Sequence, residues 1–237
     1  MLWDCVVLNC DAHMQMRNEN YKPVGSPVEV GLLQLLSNNG INVQEKLIER
    51  EQHQRLMLWI PFSSDRKRMT VAYTLKGENS HIVRLVVKGA PEFVVPMCNS
   101  KLNDGNQEED FGQGQKDQYL SDVIVQQLIT GRELTQDKPS GLKALTFGYR
   151  DFNLDEFEAM KKANNNFEDE EARSLIESQL TLLASVGLSD PLREGIAEAI
   201  EKLVEGRTNV RLVSGDHKAS VLNAAIQIGL VEDEENE

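Results

Sequence analysis

Three apolar stretches separated by short polar turns constrain the fold of this chain most. They run from Leu56 to Phe62, from Met69 to Leu75 and from Ile82 to Lys88. Apolar residues that alternate along the second stretch are typical of a strand, and the segment from Lys76 to Asn79 is typical of a turn. The stretches therefore predict a meander of three strands.

Helical patterns flank this meander. Ser26 and Pro27 suit the start of a helix whose residues Leu32 and Leu36 face the core. The other predicted helices are Val43 to Glu51, Pro91 to Met97 and Tyr119 to Leu134, and the other strands are Leu142 to Tyr149 and Leu180 to Leu188. Residues 1–9 form an apolar patch, and a polar loop is predicted through residue 22. Residues 101–118 and 164–171 are acidic and are predicted to form surface segments.

The end of the sequence has a different pattern. A helix over residues 196–204 precedes Val210 to Val213, an apolar stretch of the kind that forms a buried parallel strand. A turn at residues 214–216 then leads to a second helix near residues 219–226. This order is half of a doubly wound α/β unit, in which ligands bind at the carboxyl ends of strands. Asp190 and Asp216 are therefore candidate binding residues, although aspartate also caps helices well.

Composition limits the classes of partner. Of the 237 residues 40% are hydrophobic, which is enough for a core, and the net charge of -13 argues against nucleic acid and anionic membranes. No stretch reaches the ~20 apolar residues of a membrane-spanning helix, and no secretory signal is evident, so no direct membrane insertion is predicted. The three cysteines lack CxxC spacing and the four histidines are isolated, so no metal site is predicted.

A nucleotide site is predicted at the ends of the meander strands. Phe62 precedes a run of three cations, Arg66 to Arg68, and Lys88 ends an apolar strand at Gly89. A flat ring can stack on a base while cations neutralise phosphates, and ATP binding requires both. Alternatives remain open for each part: Phe62 is a core residue that closes its strand, the cations form a solvated turn or a weak basic targeting patch, and Lys88 is a surface lysine at a strand end.

Six short elements give the chain a resemblance to P-type cation-transporting ATPases, and among them to calcium pumps of the plasma-membrane type. They occur in the family's order over essentially the whole sequence. As written in this chain they are GSPVEVGLL (residues 25–33), FSSDRKRM (62–69), KGAPE (88–92), GLKAL followed by YRD (141–151), DPLR (190–193) and VSGD (213–216). The resemblance implies an α/β fold: an α+β nucleotide-binding domain with a mainly antiparallel sheet flanked by helices, followed by a partial haloacid-dehalogenase-like α/β segment.

The resemblance implies roles around the adenosine part of ATP. Phe62 would stack on adenine, and Glu29 would form a hydrogen bond near the adenine end. Lys67 and Lys88 would line the pocket, with Gly89 beside Lys88 in the same element.

A second group of positions would act on the phosphates. Lys143 stands where the family usually has an arginine that contacts the ribose and phosphates. A guanidinium group can form two parallel hydrogen bonds to a phosphate, whereas the ammonium group of a lysine acts as a compact single charge. Ser214, Gly215 and Asp216 would approach the phosphates from the other side. Asp190 would lie at the hinge between the nucleotide-binding and phosphorylation domains.

Two elements of the family do not occur in this sequence. They are the Asp-Lys-Thr-Gly-Thr element, which carries the phosphorylated aspartate, and the Gly-Asp-Gly-x-Asn-Asp element, which helps to hold magnesium. Membrane helices and the actuator domain are also missing. We therefore expect residues 1–189 to be the nucleotide-binding domain, with an acidic surface insertion at 101–118, and residues 190–237 to be an incomplete phosphorylation domain.

The expected function is ATP binding at the cytoplasmic face of a membrane-embedded pump, with the plasma membrane favoured. ATP would act with magnesium in the intact enzyme, and the other pump domains and the membrane helices would be partners. No catalytic residue is expected in this chain, so it would bind ATP without phosphorylating itself. The alternatives are an inactive nucleotide-binding regulatory module and a small phosphatase of haloacid-dehalogenase type. The phosphatase needs a DxDx(T/V) loop, which the sequence lacks.

Overall fold

The fold divides into two compact units. The computed structural model describes residues 1–17, 20–133, 142–189, 192–215 and 218–231. The first unit comprises Met1–Lys116 and Leu145–Ser185, and the second comprises Asp117–Ala144 and Val186–Glu237. The predicted boundary between residues 189 and 190 stays a prediction.

Seven of the described strands form one sheet, with the strand order β3-β4-β5-β8-β9-β6-β7. Its strands are β3 (Leu56–Ile60), β4 (Arg68–Thr74), β5 (Ile82–Gly89), β6 (Cys98–Leu102), β7 (Glu108–Asp110), β8 (Leu142–Asn153) and β9 (Leu180–Ser189). The pairs β3/β4, β4/β5, β5/β8 and β6/β7 are antiparallel, and β6/β9 is parallel. The predicted meander and the mainly antiparallel α/β fold are therefore confirmed.

The central strands of this sheet are buried away from solvent. Every residue of β4 is buried, and Val83, Leu85 and Val86 of β5 have no exposed surface. Because a charge in such surroundings is costly without a partner, any cation at the end of these strands needs one. Arg68 at the start of β4 and Lys88 near the end of β5 are in that position.

The helices of the described residues complete the fold. They are α1 (Leu2–Leu8), α2 (Pro27–Asn38), α3 (Val43–His53), α4 (Pro91–Val94), α5 (Gln113–Glu133), α6 (Leu154–Ala163), α7 (Glu170–Ile176), α8 (Ile196–Glu205) and α9 (Lys218–Gln227). In the first unit α1 contacts β4, α2 and α3, and α6 contacts β5. The N-terminus of α2 is as predicted, because Ser26 caps it and Pro27 occupies its first turn. Among the described residues, no helix combines the length and the apolar character that crossing a bilayer requires.

Some predictions of local structure were wrong or incomplete. The predicted polar loop contains a hairpin of β1 (His13–Arg17) and β2 (Asn20–Val24), and the apolar patch before it is helix α1. Residues 104–110 of the predicted insertion are exposed, yet the segment contributes to a second hairpin, β6–β7. Polar residues form these strands because pairing with a neighbour satisfies their backbone groups, and a local apolar pattern does not reveal such pairing.

The strand predicted at Val210–Val213 is absent from the described residues. Residues 208–214 have no regular structure, and Val213 is 92% exposed. An isolated apolar stretch cannot form a buried strand without a neighbouring strand to pair with. In this second unit the helices α8 and α9 form close to the predicted positions.

Candidate functional site

The pairing of β4 with β5 brings two distant sequence elements together. Arg68 lies opposite Gly89, and Met69 lies opposite Lys88. The loop that precedes β4, residues 61–67, therefore lies next to the end of β5, and we call it the β3–β4 loop. The backbone N–H of Ala90 donates to the carbonyl oxygen of Lys67 at 3.1 Å, which closes this contact.

Gly89 permits this close approach. A Cβ atom at Gly89 would lie 2.5 Å from the carbonyl oxygen of Lys67 and 2.7 Å from the Cβ of Arg68. Real side chains do not tolerate such distances, so only glycine lets the strand end approach the loop this closely. The structure thus places Gly89 at the contact between the two elements.

Lys67 has an unusual backbone conformation. Its φ of 52° lies in the left-handed region, which a residue with a side chain adopts rarely. Two contacts hold it there: its N–H donates to the carbonyl of Ser63 at 2.9 Å, and its own carbonyl accepts from Ala90. The side chain is partly exposed, and no carboxylate of the described residues forms an ion pair with it.

Phe62 lies outside the core. It follows β3 by two residues, and its side chain is 59% exposed, whereas Ile60 at the end of that strand is buried. A side chain with more than half of its surface in water contributes little to a core. The interpretation of Phe62 as a core residue that closes its strand is therefore wrong.

Arg66 and Arg68 have a different environment from Lys67. Both arginine side chains are nearly buried, and both form ion pairs with Glu170 and Glu177. The prediction of three cations displayed beside the ring is thus wrong for these two. Of the three, only Lys67 lacks an ion-pair partner among the residues that the structure describes.

Lys88 is the centre of a buried polar group that we call the Lys88 cluster (Asn9, Cys10, Glu29 and Lys88). Lys88 is only 4% exposed, and its Nζ donates to Oε1 of Glu29 and to the backbone carbonyl of Asn9. The interpretation of Lys88 as a surface lysine is therefore wrong. Glu29 lies in the first turn of α2, where the helix dipole favours a carboxylate.

Asn9 connects this cluster to the sheet. Its side-chain amide donates to the carbonyl of Val86 at 2.8 Å and to the carbonyl of Met69 at 3.1 Å. The second carboxylate oxygen of Glu29, Oε2, is buried and has no hydrogen-bond partner among the described residues. The cluster thus contains one acceptor that a ligand donor could satisfy once Glu29 becomes accessible.

Cys10 completes the cluster. Burial raises the pKa of its thiol to about 12, the negative charge of Glu29 raises it further, and the positive charge of Lys88 opposes both. The thiol is therefore neutral near pH 7 and is not a nucleophile. Asn9 and Cys10 were not predicted from sequence, because nothing near them in the chain shows that α1 ends beside Lys88.

The remaining predicted site residues belong to the second unit. Lys143 lies in β8 and is partly buried, and Ser214 and Gly215 are exposed in the irregular segment before α9. Asp190 and Asp216 lie outside the described residues.

The first unit by itself thus brings together Glu29, Lys67, Lys88 and Gly89, with Phe62 on the same loop as Lys67. Within the described parts of the chain, no three His, Cys, Asp or Glu side chains group closely enough to hold a metal ion.

Comparison with known families gives this site a context. Residues 1–195 match the family described as P-type ATPase, cytoplasmic domain N. The match covers most of the chain, so the protein belongs to this family.

Individual relatives agree with this assignment. The chain is 30% identical over 210 residues to a calcium-transporting ATPase of plasma membrane type, number 11, from Arabidopsis thaliana, with 88% of this chain and 17% of the relative covered. It is 27% identical to plasma membrane calcium-transporting ATPase 2 of Oreochromis mossambicus (89% and 17% covered) and 25% identical to calcium-transporting ATPase 1 of Bacillus cereus (90% and 20% covered). The chain therefore spans about a fifth or less of the length of these relatives.

Proposed function

We propose that this chain binds ATP as the nucleotide-binding portion of a P-type calcium-transporting ATPase. One observation carries the proposal: a single loop, attached to the end of β5 at Gly89 and Ala90, holds the exposed ring of Phe62 and also Lys67, which has no ion-pair partner among the described residues. A ring that can stack on a base and a cation that can meet a phosphate thus lie on one anchored segment. The membership of the chain in the domain N family supports the same function.

The Lys88 cluster supports adenine binding in a different way. Because Lys88 and Glu29 already neutralise each other, the pair adds polarity to the site without adding net charge. Glu29 Oε2 is an unused acceptor, and the exocyclic amine of adenine is a donor. We infer that Glu29 accepts from this amine after a small local movement, while the contact with Lys88 keeps the carboxyl group in place.

Phosphoryl transfer would need groups outside this chain. The proposal is that the bound ATP passes its γ-phosphate to an aspartate of the family's Asp-Lys-Thr-Gly-Thr element, which this sequence does not contain. Magnesium would enter with the phosphates as their counter-ion. Lys143, Ser214, Gly215 and Asp216 are the proposed phosphate contacts, and Asp190 is the proposed hinge residue.

The transported ion and the membrane are also proposals. The names of the relatives refer to calcium transport, and several refer to the plasma membrane. We therefore propose calcium as the ion of the parent pump, the cytoplasmic face of the plasma membrane as the location, and the membrane helices and other pump domains as partners.

A calorimetric titration of the purified chain with ATP tests the binding. We expect a saturable 1:1 isotherm, together with shifts of the Phe62 and Lys67 resonances in a parallel NMR titration. Incubation with ATP labelled in the γ-phosphate should leave no acid-stable phosphoprotein, because the acceptor aspartate is not in the chain. A flat isotherm and unchanged spectra up to roughly millimolar ATP, the upper end of common substrate constants, would rule out the proposal.

Phe62→Ala separates stacking from packing. We expect a loss of roughly 1–3 kcal/mol in ATP affinity, which is the usual contribution of a base stacked on an aromatic ring. That loss corresponds to an increase in Kd of about 5- to 150-fold. The midpoint of thermal unfolding should hardly change, because the ring is 59% exposed.

Tyr21→Ala is the matched control for this variant. Tyr21 is an aromatic residue on β2 of the same unit and is 45% exposed, so its removal should affect neither affinity nor stability. An equal loss of affinity in both variants, or unchanged affinity in Phe62→Ala, would contradict the stacking role of Phe62.

A further inference from the structure

We propose that Glu177 is a positioning residue for the nucleotide site and that it holds the β3–β4 loop in place through Arg66 and Arg68. The inference rests on the proposed function, because it concerns how the same loop is kept ready to bind. Glu177 follows α7 directly and is 1% exposed, so it cannot touch a ligand itself.

Arg68 forms the inner part of this connection. Its Nε donates to Oε2 of Glu177 at 2.8 Å, and its Nη2 lies 2.7 Å from the same oxygen. Nη2 also donates to Oε1 of Glu170 at 2.6 Å. Arg68 therefore connects the start of β4 to both ends of α7, since Glu170 begins that helix and Glu177 follows its last residue.

Arg66 forms the outer part. Its Nη2 donates to Oε1 of Glu177, and its Nε lies 3.0 Å from Oε2 of Glu170. The hydroxyl of Thr70 donates to Oε1 of Glu177 at 2.5 Å. Both oxygens of Glu177 are thus occupied by donors from residues 66, 68 and 70, and Glu177 is the acceptor that these three share.

The charges of this network balance. Two guanidinium groups face two carboxylates, and all of them except Glu170 are almost completely buried. A buried arginine that loses its carboxylate keeps its charge, because a guanidinium does not deprotonate in proteins. Loss of the Glu177 charge would therefore drive Arg66 and Arg68 toward water, and the loop would have to move with them.

Lys67 lies between these two arginines in the chain. Its left-handed backbone is held by the bonds to Ser63 and Ala90, and its neighbours on both sides are held by Glu177. Strained conformations persist only when the surrounding structure fixes them. The network therefore maintains the geometry of the one cation of this run that the proposed function assigns to ATP.

The network and the Lys88 cluster approach the strand ends from opposite faces of the sheet. Met69 pairs with Lys88, and successive residues of a strand face opposite sides, so Arg68 and Thr70 face away from Lys88. This arrangement makes the two sets of contacts separable by mutation. A change at Glu177 can release the loop while the Lys88 cluster remains intact.

Glu177→Gln tests the role, because it removes the charge and keeps the shape. We expect amide hydrogen exchange at Lys67 and Ala90 to accelerate by about 10-fold or more, while exchange at Leu85 and Val86 in the middle of β5 changes little. We also expect the Kd for ATP to rise by about 10-fold per folded molecule, since a displaced binding group costs affinity even when it is intact. Glu158→Gln is the matched control, because Glu158 pairs with the exposed Arg55 in the same unit and should leave both measurements unchanged.

The exchange measurement keeps the test independent of the ATP proposal. If the wild-type chain binds no ATP, the proposed function fails, and the selective acceleration at Lys67 and Ala90 alone decides whether Glu177 positions the loop. If exchange accelerates equally at all four amides, or at none, Glu177 has only a general structural role and the inference is overturned. If exchange at Lys67 and Ala90 accelerates but the Kd is unchanged in a chain that binds ATP, the role of Glu177 in binding is likewise overturned.

Glu170→Gln covers the case in which Glu177→Gln does not fold. Glu170 is half-exposed and contacts the same two arginines, so its loss leaves Glu177 as their partner and should be tolerated. We expect the same two amides to accelerate, by about 3-fold, with Leu85 and Val86 unaffected. Equal acceleration at all four amides in this variant would overturn the inference, whereas unchanged exchange would agree with Glu177 as the sufficient partner of the two arginines.

Discussion

The two lysines of the candidate site show how differently one residue type can be used. In the Lys88 cluster, Lys88 is buried and bonded to Glu29 and Asn9. On the β3–β4 loop, Lys67 is partly exposed and has no ion-pair partner among the described residues. A buried ammonium requires a counter-charge, so Lys88 is part of the fold itself, whereas the charge of Lys67 remains available to a ligand.

This difference has a consequence for mutation. Changes in the Lys88 cluster should appear first in the free energy of unfolding, and changes at Phe62 should appear first in ATP affinity. Gly89 lies between the two regions and should report on both, because it touches the loop and follows Lys88 directly.

The largest effect is expected for Lys88→Met, which keeps most of the side-chain volume and removes the charge. It leaves the carboxyl group of Glu29 buried without its partner, and breaking a buried pair in this way costs about 3–5 kcal/mol of unfolding free energy. Urea denaturation should show this as a lower midpoint with an unchanged slope. The double variant Lys88→Met with Glu29→Gln should recover part of the loss, since no lone charge remains.

Lys46→Met is the control for Lys88→Met. Lys46 pairs with Asp4 and Glu49, but its side chain is 36% exposed, so the loss should stay below about 1 kcal/mol. Equal losses in the two variants would show that burial of Lys88 does not distinguish the two regions.

A smaller effect is expected for Gly89→Ala. The added Cβ would meet the carbonyl of Lys67 and the side chain of Arg68, and such overpacking typically costs about 1–3 kcal/mol. Because the strain falls on the loop, ATP affinity should decrease as well. Both quantities can be measured on one sample, by urea denaturation and by calorimetry.

Gly114→Ala is the matched control for Gly89→Ala. Gly114 lies in the first turn of α5, and a Cβ there would meet open space. Alanine should be neutral or stabilising by up to about 1 kcal/mol, since it lowers the entropy of the unfolded chain. A Gly89→Ala protein as stable as the Gly114→Ala protein would contradict the close contact between β5 and the loop.

The smallest effect is expected in the pH dependence of Cys10. Its pKa in the folded chain, about 12, lies above the ordinary value of 9.0, so its contribution to stability is complete well below pH 9 and is lost as the pH rises through 9 toward 12. Between pH 7 and pH 9 the wild type should therefore lose roughly a few tenths of a kcal/mol more unfolding free energy than Cys10→Ala. Parallel urea denaturation at the two pH values measures this difference. The opposite sign would mean that the thiol ionises more easily in the folded chain than in the unfolded one.

Much of the fold could be predicted because its determinants are local. The cap at Ser26, the apolar spacing of α2 and the strands β3, β4 and β5 each depend on residues within one short window. The hairpins β1–β2 and β6–β7 could not be predicted in this way. Their strands are polar, and the sheet partner that makes β6 a strand is β9, about 80 residues further along the chain.

The same distinction applies to the candidate site. The motifs at residues 62–69 and 88–92 were recognisable in the sequence, and their position at strand ends follows from the apolar stretches that precede them. The partners of Lys88 were not recognisable. Asn9 lies 79 residues away from it, and the end of α1 can be placed beside Lys88 only after the chain has folded.

The sequence by itself determined that a ring, three adjacent cations and a lysine at a glycine turn would lie at the ends of a strand meander, because strand and turn preferences act over a few residues. Only the tertiary structure decided which of the three cations has no ion-pair partner in the part of the chain that the structure describes. Glu170 and Glu177 are more than 100 residues away from Arg66 and Arg68, and folding places them against these two and not against Lys67. The physical reason is that burial of a charge demands a partner, and that partner is selected by the packing of distant elements.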